Sequence, residues 1–161
     1  MTTSKLSALC VECGLCCDGS LFRFLPVEPG DVERHRVLGL PVVMQSGRLA
    51  MPLPCAKLEA KCCTVYAERP PGCRGFVCHL GHRLEAGEVS FPAAVGTVKE
   101  AQRRIAVLAR AWPGEGPVVQ RTTQLALAGA APGEPALGAL REVHEWLDDH
   151  IHWPDAPTTG V

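Results

Sequence analysis

The stretch Cys10-Val-Glu-Cys13-Gly14-Leu-Cys16-Cys17 places four thiols within eight residues. A two-residue gap lets two thiolates close around one ion through a tight turn, and Gly14 relieves crowding there because it has no side chain. Cys16 and Cys17 are adjacent, so their side chains diverge and suit two different ions, or one ion and one free thiol. The first three cysteines also have the spacing that some [4Fe–4S] proteins use, without the fourth ligand of that run.

Five more cysteines follow, and the last 83 residues have none. Their neighbours are Pro, Gly, Lys, Arg and Glu, whereas buried free cysteines occur in apolar surroundings. Metal ligation explains such a group, because an ion organises backbone that has little structure of its own. These five residues are Cys55, Cys62, Cys63, Cys73 and Cys78.

A disulfide framework is the competing interpretation, and the cellular compartment decides between the two. Lys5 precedes only a short apolar run that Glu12 ends, whereas a secretory signal has about 7–15 apolar residues. No uncharged window approaches the ~20 residues of a membrane span. We therefore expect a cytoplasmic protein without a membrane partner, whose thiols stay reduced. A net charge of −1 excludes the basic footprint of nucleic-acid binding.

The expected fold is α+β, small and irregular, and 161 residues suggest a single domain. Its cysteine-rich half would be stabilised by metal and contain short strands and one helix, with two amphipathic helices packed on it. We expect residues 10–81 to form the metal-binding region, 82–154 the helical region and 155–161 a disordered tail. The predicted elements are a loop over 11–17, a strand at 21–25, a helix over 29–38, a hairpin at 42–45 and 48–51, irregular chain over 52–81, a short element at 118–128, and helices over 97–112 and 135–152.

Three segments of the chain are similar to one known family. Residues 10–17, the pair Pro54-Cys55 and residues 63–78 resemble the YkgJ-type cysteine-cluster family, described as a zinc- or iron-chelating domain. The likeness spans about 43% of the chain, and Cys62 lies outside it. It implies metal ligation by Cys10, Cys13, Cys16, Cys17, Cys55, Cys63, Cys73 and Cys78. One branch resembles flagellin lysine methylases, which are much longer, and nothing in the rest of this chain matches them.

Two arginines and two histidines lie beside these cysteines. Eight thiolates would carry eight negative charges, so we expect Arg69 and Arg74 to bond to sulfur and offset that charge. The alternative is that both cap loop carbonyls. His79 and His82 could join Cys78 in a mixed site, but a solvated turn is the simpler interpretation.

The sequence thus predicts a protein that binds zinc or iron, as single ions or as an iron–sulfur cluster. One alternative is an iron–sulfur-dependent redox or methyl-transfer enzyme component. The other is a module whose fold is stabilised by the metal and that binds a protein partner. The chain has no phosphate loop, dinucleotide fingerprint or nucleophile elbow, so no catalytic residue is assigned.

Overall fold

The structure, a computed structural model, describes residues 4–152, and the predicted tail at 155–161 lies outside them. The described chain is α+β, with seven α-helices and five short strands. It divides into two units, which are described separately below. The strand unit comprises residues 14–77, and the helical unit comprises 4–13 together with 78–152.

The strand unit contains a three-stranded antiparallel sheet in the order β1-β3-β2 and a two-stranded sheet, β4-β5. Leu25 of β1 lies opposite Met51 of β3, and Met51 packs with Val27 and Leu40 in a small buried cluster. The elements are β1 (Phe24–Pro26), a 3-10 turn (Pro29–Asp31), α2 (Val32–Val37), β2 (Val43–Gln45), β3 (Arg48–Pro52), β4 (Leu58–Glu59), β5 (Cys62–Cys63) and α3 (Pro71–Gly75).

Residues with positive φ explain where several of these elements end. Ser46 and Gly47 have φ values of 48° and 78°, the pair of positive angles that joins two strands in a type I′ hairpin. The predicted hairpin is therefore present between β2 and β3. The predicted helix over 29–38 begins as a 3-10 turn and ends before Gly39, whose φ of 65° ends the helix as glycine commonly does.

The helical unit consists of five helices. Its elements are α1 (Lys5–Cys13), α4 (His79–Glu85), α5 (Phe91–Ala111), α6 (Val118–Leu127) and α7 (Glu134–His150). The long helices α5 and α7 pack along each other, and α1 packs on α4 and α5. No helix formed by residues 4–152 is long and apolar enough to cross a lipid bilayer.

The core of the helical unit is aliphatic around one tryptophan. Trp112 is 1% exposed, and its indole nitrogen donates to the Ala136 carbonyl at 2.9 Å. The buried hydrophobic residues of α5 and α7 are Ala94, Val98, Ala101, Leu108, Ala136, Leu140, Val143 and Leu147. Most of them recur at helical spacing, which is why sequence periodicity identified both helices.

Several expectations about local structure are wrong. The strand predicted at 21–25 begins only at Phe24 and extends through Pro26. The segment predicted as a loop over 11–17 is helical through Cys13, because the Gln102 side chain donates to the carbonyls of Glu12 and Cys13 at 2.9 and 3.0 Å. Helix α5 begins at Phe91 rather than 97, since the Ser90 hydroxyl caps it by accepting from the Ala93 N–H. Residues 52–81 are not wholly irregular, because they hold the β4-β5 hairpin, α3 and the start of α4.

Candidate metal centre

Cys17, the first of four thiols that come together in the strand unit, lies in a tight turn that follows Gly14. The N–H groups of Cys17 and Asp18 both donate to the Gly14 carbonyl, at 3.0 and 2.9 Å. Gly14 has a φ of 69°, a value that costs glycine nothing and other residues free energy. The Cys55 N–H then donates to the Cys17 carbonyl at 2.8 Å. Two cysteines that are 38 positions apart are thus joined through their backbones.

A tight hairpin brings a third thiol to the same place. Leu58 of β4 pairs with Cys63 of β5, and the Leu58 N–H donates to the Cys55 carbonyl at 3.0 Å. The two residues at the turn, Ala60 and Lys61, both have positive φ. Adjacent strand residues point to opposite faces. Cys62 is accordingly exposed, whereas Cys63 is half-buried.

The fourth thiol belongs to α3. Pro71 begins this helix, and the Cys73 N–H donates to the Pro70 carbonyl at 3.0 Å. Cys73 and Cys55 both pack against the buried cluster of the strand unit. Four sequence segments therefore place half-buried thiols around one region. We call Cys17, Cys55, Cys63 and Cys73 the four-thiol cluster.

The pKa values of these thiols depend on burial and on the charges of the neighbouring thiols. The pKa of Cys17 is raised to about 12, first by burial and then by negative charge on Cys55, Cys73 and Cys63. The pKa of Cys73 is raised to about 11 by burial and by the charges of Cys55 and Cys63. Burial also raises the pKa of Cys55. Four thiolates in this region repel one another and need a cation to become stable together.

Few positive groups of the protein itself offset that charge. The Arg69 guanidinium lowers the pKa of Cys73, and the charge of Lys57 acts in the same direction on Cys55, whose sulfur also accepts from the Lys57 backbone N–H at 3.5 Å. Arg74 instead donates from Nε to the Arg69 carbonyl and from Nη2 to the Ala67 carbonyl, at 2.8 and 2.7 Å. Of the two arginines singled out from the sequence, Arg69 therefore acts on a thiol by its charge, and Arg74 caps a loop.

The donor chemistry of the four-thiol cluster fits zinc or an iron–sulfur cluster, both of which take soft thiolate ligands. Among residues 4–152, no three cysteine, histidine or carboxylate side chains stand in the arrangement that a metal ion requires. Ligation thus requires the thiols to turn toward a common point, through rotation about Cα–Cβ bonds. None of the nine cysteines, all of them in the described chain, forms a disulfide bond.

Three other cysteines belong to the helical unit. Cys10 and Cys13 are three residues apart on α1, so they share one face of that helix. Cys78 caps α4, where its sulfur accepts from the Gly81 N–H at 3.4 Å, and burial raises the pKa of its thiol. Cys16 is half-buried in the strand unit. That all eight cysteines of the family pattern form one centre stays a prediction.

The two histidines after Cys78 lie on a helix, so the predicted solvated turn is wrong. His79 is the first residue of α4 and is half-buried, whereas His82 is exposed. Helix α4 forms because Cys78 supplies the cap and because Leu80 and Leu84, four residues apart, are both buried.

Two residues of α2 were not singled out from the sequence. His35 is only 2% exposed, and its Nδ1 lies 2.9 Å from the Asp31 carbonyl, while Nε2 has no hydrogen-bond partner among the described residues. Arg34 donates from Nε and Nη2 to the Glu68 carbonyl, at 3.1 and 2.7 Å. The helical spacing of His35 with Val32 and Leu38 was the only sequence signal for its burial.

Comparison of the chain with protein-family models, with curated proteins and with solved structures finds no match. The resemblance of the cysteine spacing to the YkgJ-type family therefore stays an expectation. The chemistry of the site has to be argued from its own residues.

Proposed function

We propose that this protein binds zinc or iron, with the four-thiol cluster as the principal centre. The observation that carries this proposal is that separate parts of the strand unit bring four half-buried thiols to one region, since Cys55 bonds to the Cys17 backbone and packs with Cys73 against the same buried cluster. Without a cation these thiols stay protonated, whereas a bound cation would stabilise them together as thiolates. All four thiols belong to the eight cysteines that the sequence predicts as ligands. Cys10, Cys13, Cys16 and Cys78 stay expected ligands.

The core of the strand unit supports a structural role for the metal. Of the twenty buried hydrophobic residues in the described chain, six lie in this unit: Leu15, Leu21, Val27, Leu40, Ala50 and Met51. Its strands are two to five residues long. Small units with so little buried apolar surface commonly depend on a metal or on disulfides. We therefore propose that the ion stabilises the strand unit.

Metal analysis of anaerobically purified protein tests the proposal. We expect zinc or iron to copurify, and visible absorption separates a brown iron–sulfur protein from a colourless zinc protein. Cys63→Ser should lower the metal content, because Cys63 belongs to the cluster. Its neighbour Cys62 is exposed on the opposite face of the strand, so Cys62→Ser is the matched control and should leave the metal content unchanged. Equal effects of both variants would refute the assignment.

Thermal melting with and without a strong chelator tests the structural role. Structural zinc sites supply about 10–16 kcal/mol in small peptides, which is comparable to the stability of a whole domain. We expect confirmed metal loss to lower the melting temperature and to loosen the strand unit. An unchanged melting curve would favour a redox or methyl-transfer enzyme component, in which the metal is reactive rather than structural.

A further inference from the structure

Three arginines of the strand unit line one surface pocket of about 490 Å3. Its lining residues are Arg34, Arg69, Pro71, Arg74 and Gly75. Arg34 comes from α2, Arg69 from the loop before α3, and Arg74 from α3 itself. None of the lining residues is acidic. The volume lies in the range of small-molecule sites, which is roughly 300–1,000 Å3.

Backbone contacts hold the guanidinium groups in place. Arg34 donates twice to the Glu68 carbonyl, and Arg74 donates to the carbonyls of Ala67 and Arg69. The Arg69 guanidinium lies over the Tyr66 ring, 3.9 Å from its centre. The loop from 67 to 69 is therefore clamped by two arginines. This fixes the side chains before any ligand arrives and lowers the entropic cost of binding.

No carboxylate of the described chain pairs with the three guanidinium groups of this pocket. The hydrogen-bond partners of Arg34 and Arg74 are neutral carbonyls, and Arg69 stacks on a neutral ring. Arg34 and Arg74 each bond through Nε and Nη2, so their Nη1 groups keep donors for a ligand.

We propose that this arginine pocket binds the phosphate group of a small molecule. Planar guanidinium groups recognise phosphate through paired hydrogen bonds. A carboxylate has only two oxygens and one negative charge. Three guanidinium groups offer more hydrogen-bond donors and more positive charge than one carboxylate can use. A phosphate group offers more oxygens and up to two negative charges, and so matches the pocket better. Arg74 and Gly75 follow Cys73 in sequence, so the ligand would bind beside the four-thiol cluster.

Nitrogen-15 NMR of the arginine Nε–H groups in the metal-loaded protein tests this proposal without substitutions. The probes are inorganic phosphate and glycerol 3-phosphate, with sodium acetate as the comparison at constant ionic strength. We expect the Arg34, Arg69 and Arg74 signals to shift together and to saturate with one dissociation constant. Arg48, exposed on β3 and outside the pocket, should not shift. Tighter binding of the ester would identify a phosphorylated small molecule, and equal binding would identify free phosphate.

A variant pair supplies the second arm. Loss of one charged hydrogen-bonding group should weaken phosphate binding about tenfold to a hundredfold in Arg69→Gln, whereas Arg48→Gln should bind as the wild type does. Metal content is measured on both variants, so that an effect on the thiols is recognised. Shifts that do not saturate, equal shifts at Arg48, or acetate binding as tight as phosphate binding would each overturn the proposal. The NMR titration of the wild type tests phosphate binding by the pocket even if Arg69→Gln does not fold.

Discussion

Replacement of one thiol of the four-thiol cluster should change the number of protons that metal binding releases. The pKa of Cys17 is raised to about 12 in the metal-free protein. At pH 7 only about one molecule in 10^5 therefore carries this group as a thiolate. A metal ion binds the thiolate and not the thiol, so ligation by Cys17 releases about one full proton. Cys17→Ser should lower the proton count by about one.

The same reasoning fixes the pH dependence of metal affinity. Each proton released makes the apparent affinity rise about tenfold per pH unit. With each pH unit, the ratio of the zinc affinity of the wild type to that of Cys17→Ser should thus rise about tenfold. The difference between two proteins is informative even if other cysteines also bind metal, because their contribution is common to both.

Isothermal titration calorimetry of the reduced, metal-free protein with zinc measures the number of protons released on binding. Titrations in two buffers with different ionisation enthalpies separate the proton release from the heat of binding. The matched control is Cys62→Ser, whose exposed side chain lies outside the cluster and whose proton count should equal that of the wild type. If Cys17→Ser binds as many zinc ions and releases as many protons as the wild type, Cys17 is not a ligand.

Three further predictions concern stability. The metal-free protein should lose stability as pH rises above about 9. The reason is that the pKa values of Cys17 and Cys73 are 9.0 in the unfolded chain but about 12 and about 11 in the folded protein. A free energy of unfolding in urea that stays constant between pH 8 and 11 would contradict this. Burial lowers the pKa of His144 below 6.5, so stability should fall as pH drops through 6.5, and His144→Gln should flatten that part of the profile. Trp112→Phe should lower the free energy of unfolding in urea by about 1–3 kcal/mol, because it leaves the buried Ala136 carbonyl without its donor; a loss under about 0.5 kcal/mol would refute that role.

Local patterns in the sequence predicted the elements that depend on local interactions. The hairpin at Ser46-Gly47 needs positive φ at two adjacent residues, and α7 begins beside Pro135 and follows a regular apolar spacing. Helix α1 was missed because distant contacts stabilise it. Its last carbonyls accept from Gln102, about 90 residues away. No local signal in residues 5–13 shows that partner.

The candidate site was predictable in its residue types but not in its grouping. Cysteine spacing identified the metal-ligand candidates, including the four-thiol cluster. It could not show that the Cys55 N–H bonds to the Cys17 carbonyl, which is a contact between distant segments. Nor could it show that Cys10, Cys13 and Cys78 belong to a helical unit. Arg34 was overlooked because an exposed arginine on a short helix is common, and only the folded chain places it beside Arg69 and Arg74.

X-ray absorption at the metal edge tests the central claim most directly, in a full-length variant that carries Cys10→Ser, Cys13→Ser and Cys78→Ser. This variant removes the thiols of the helical unit and leaves the four-thiol cluster intact. The account predicts that a metal ion remains bound, with about four sulfur ligands, at about 2.3 Å if the metal is zinc. Complete loss of metal, or a shell of nitrogen and oxygen ligands, would contradict it.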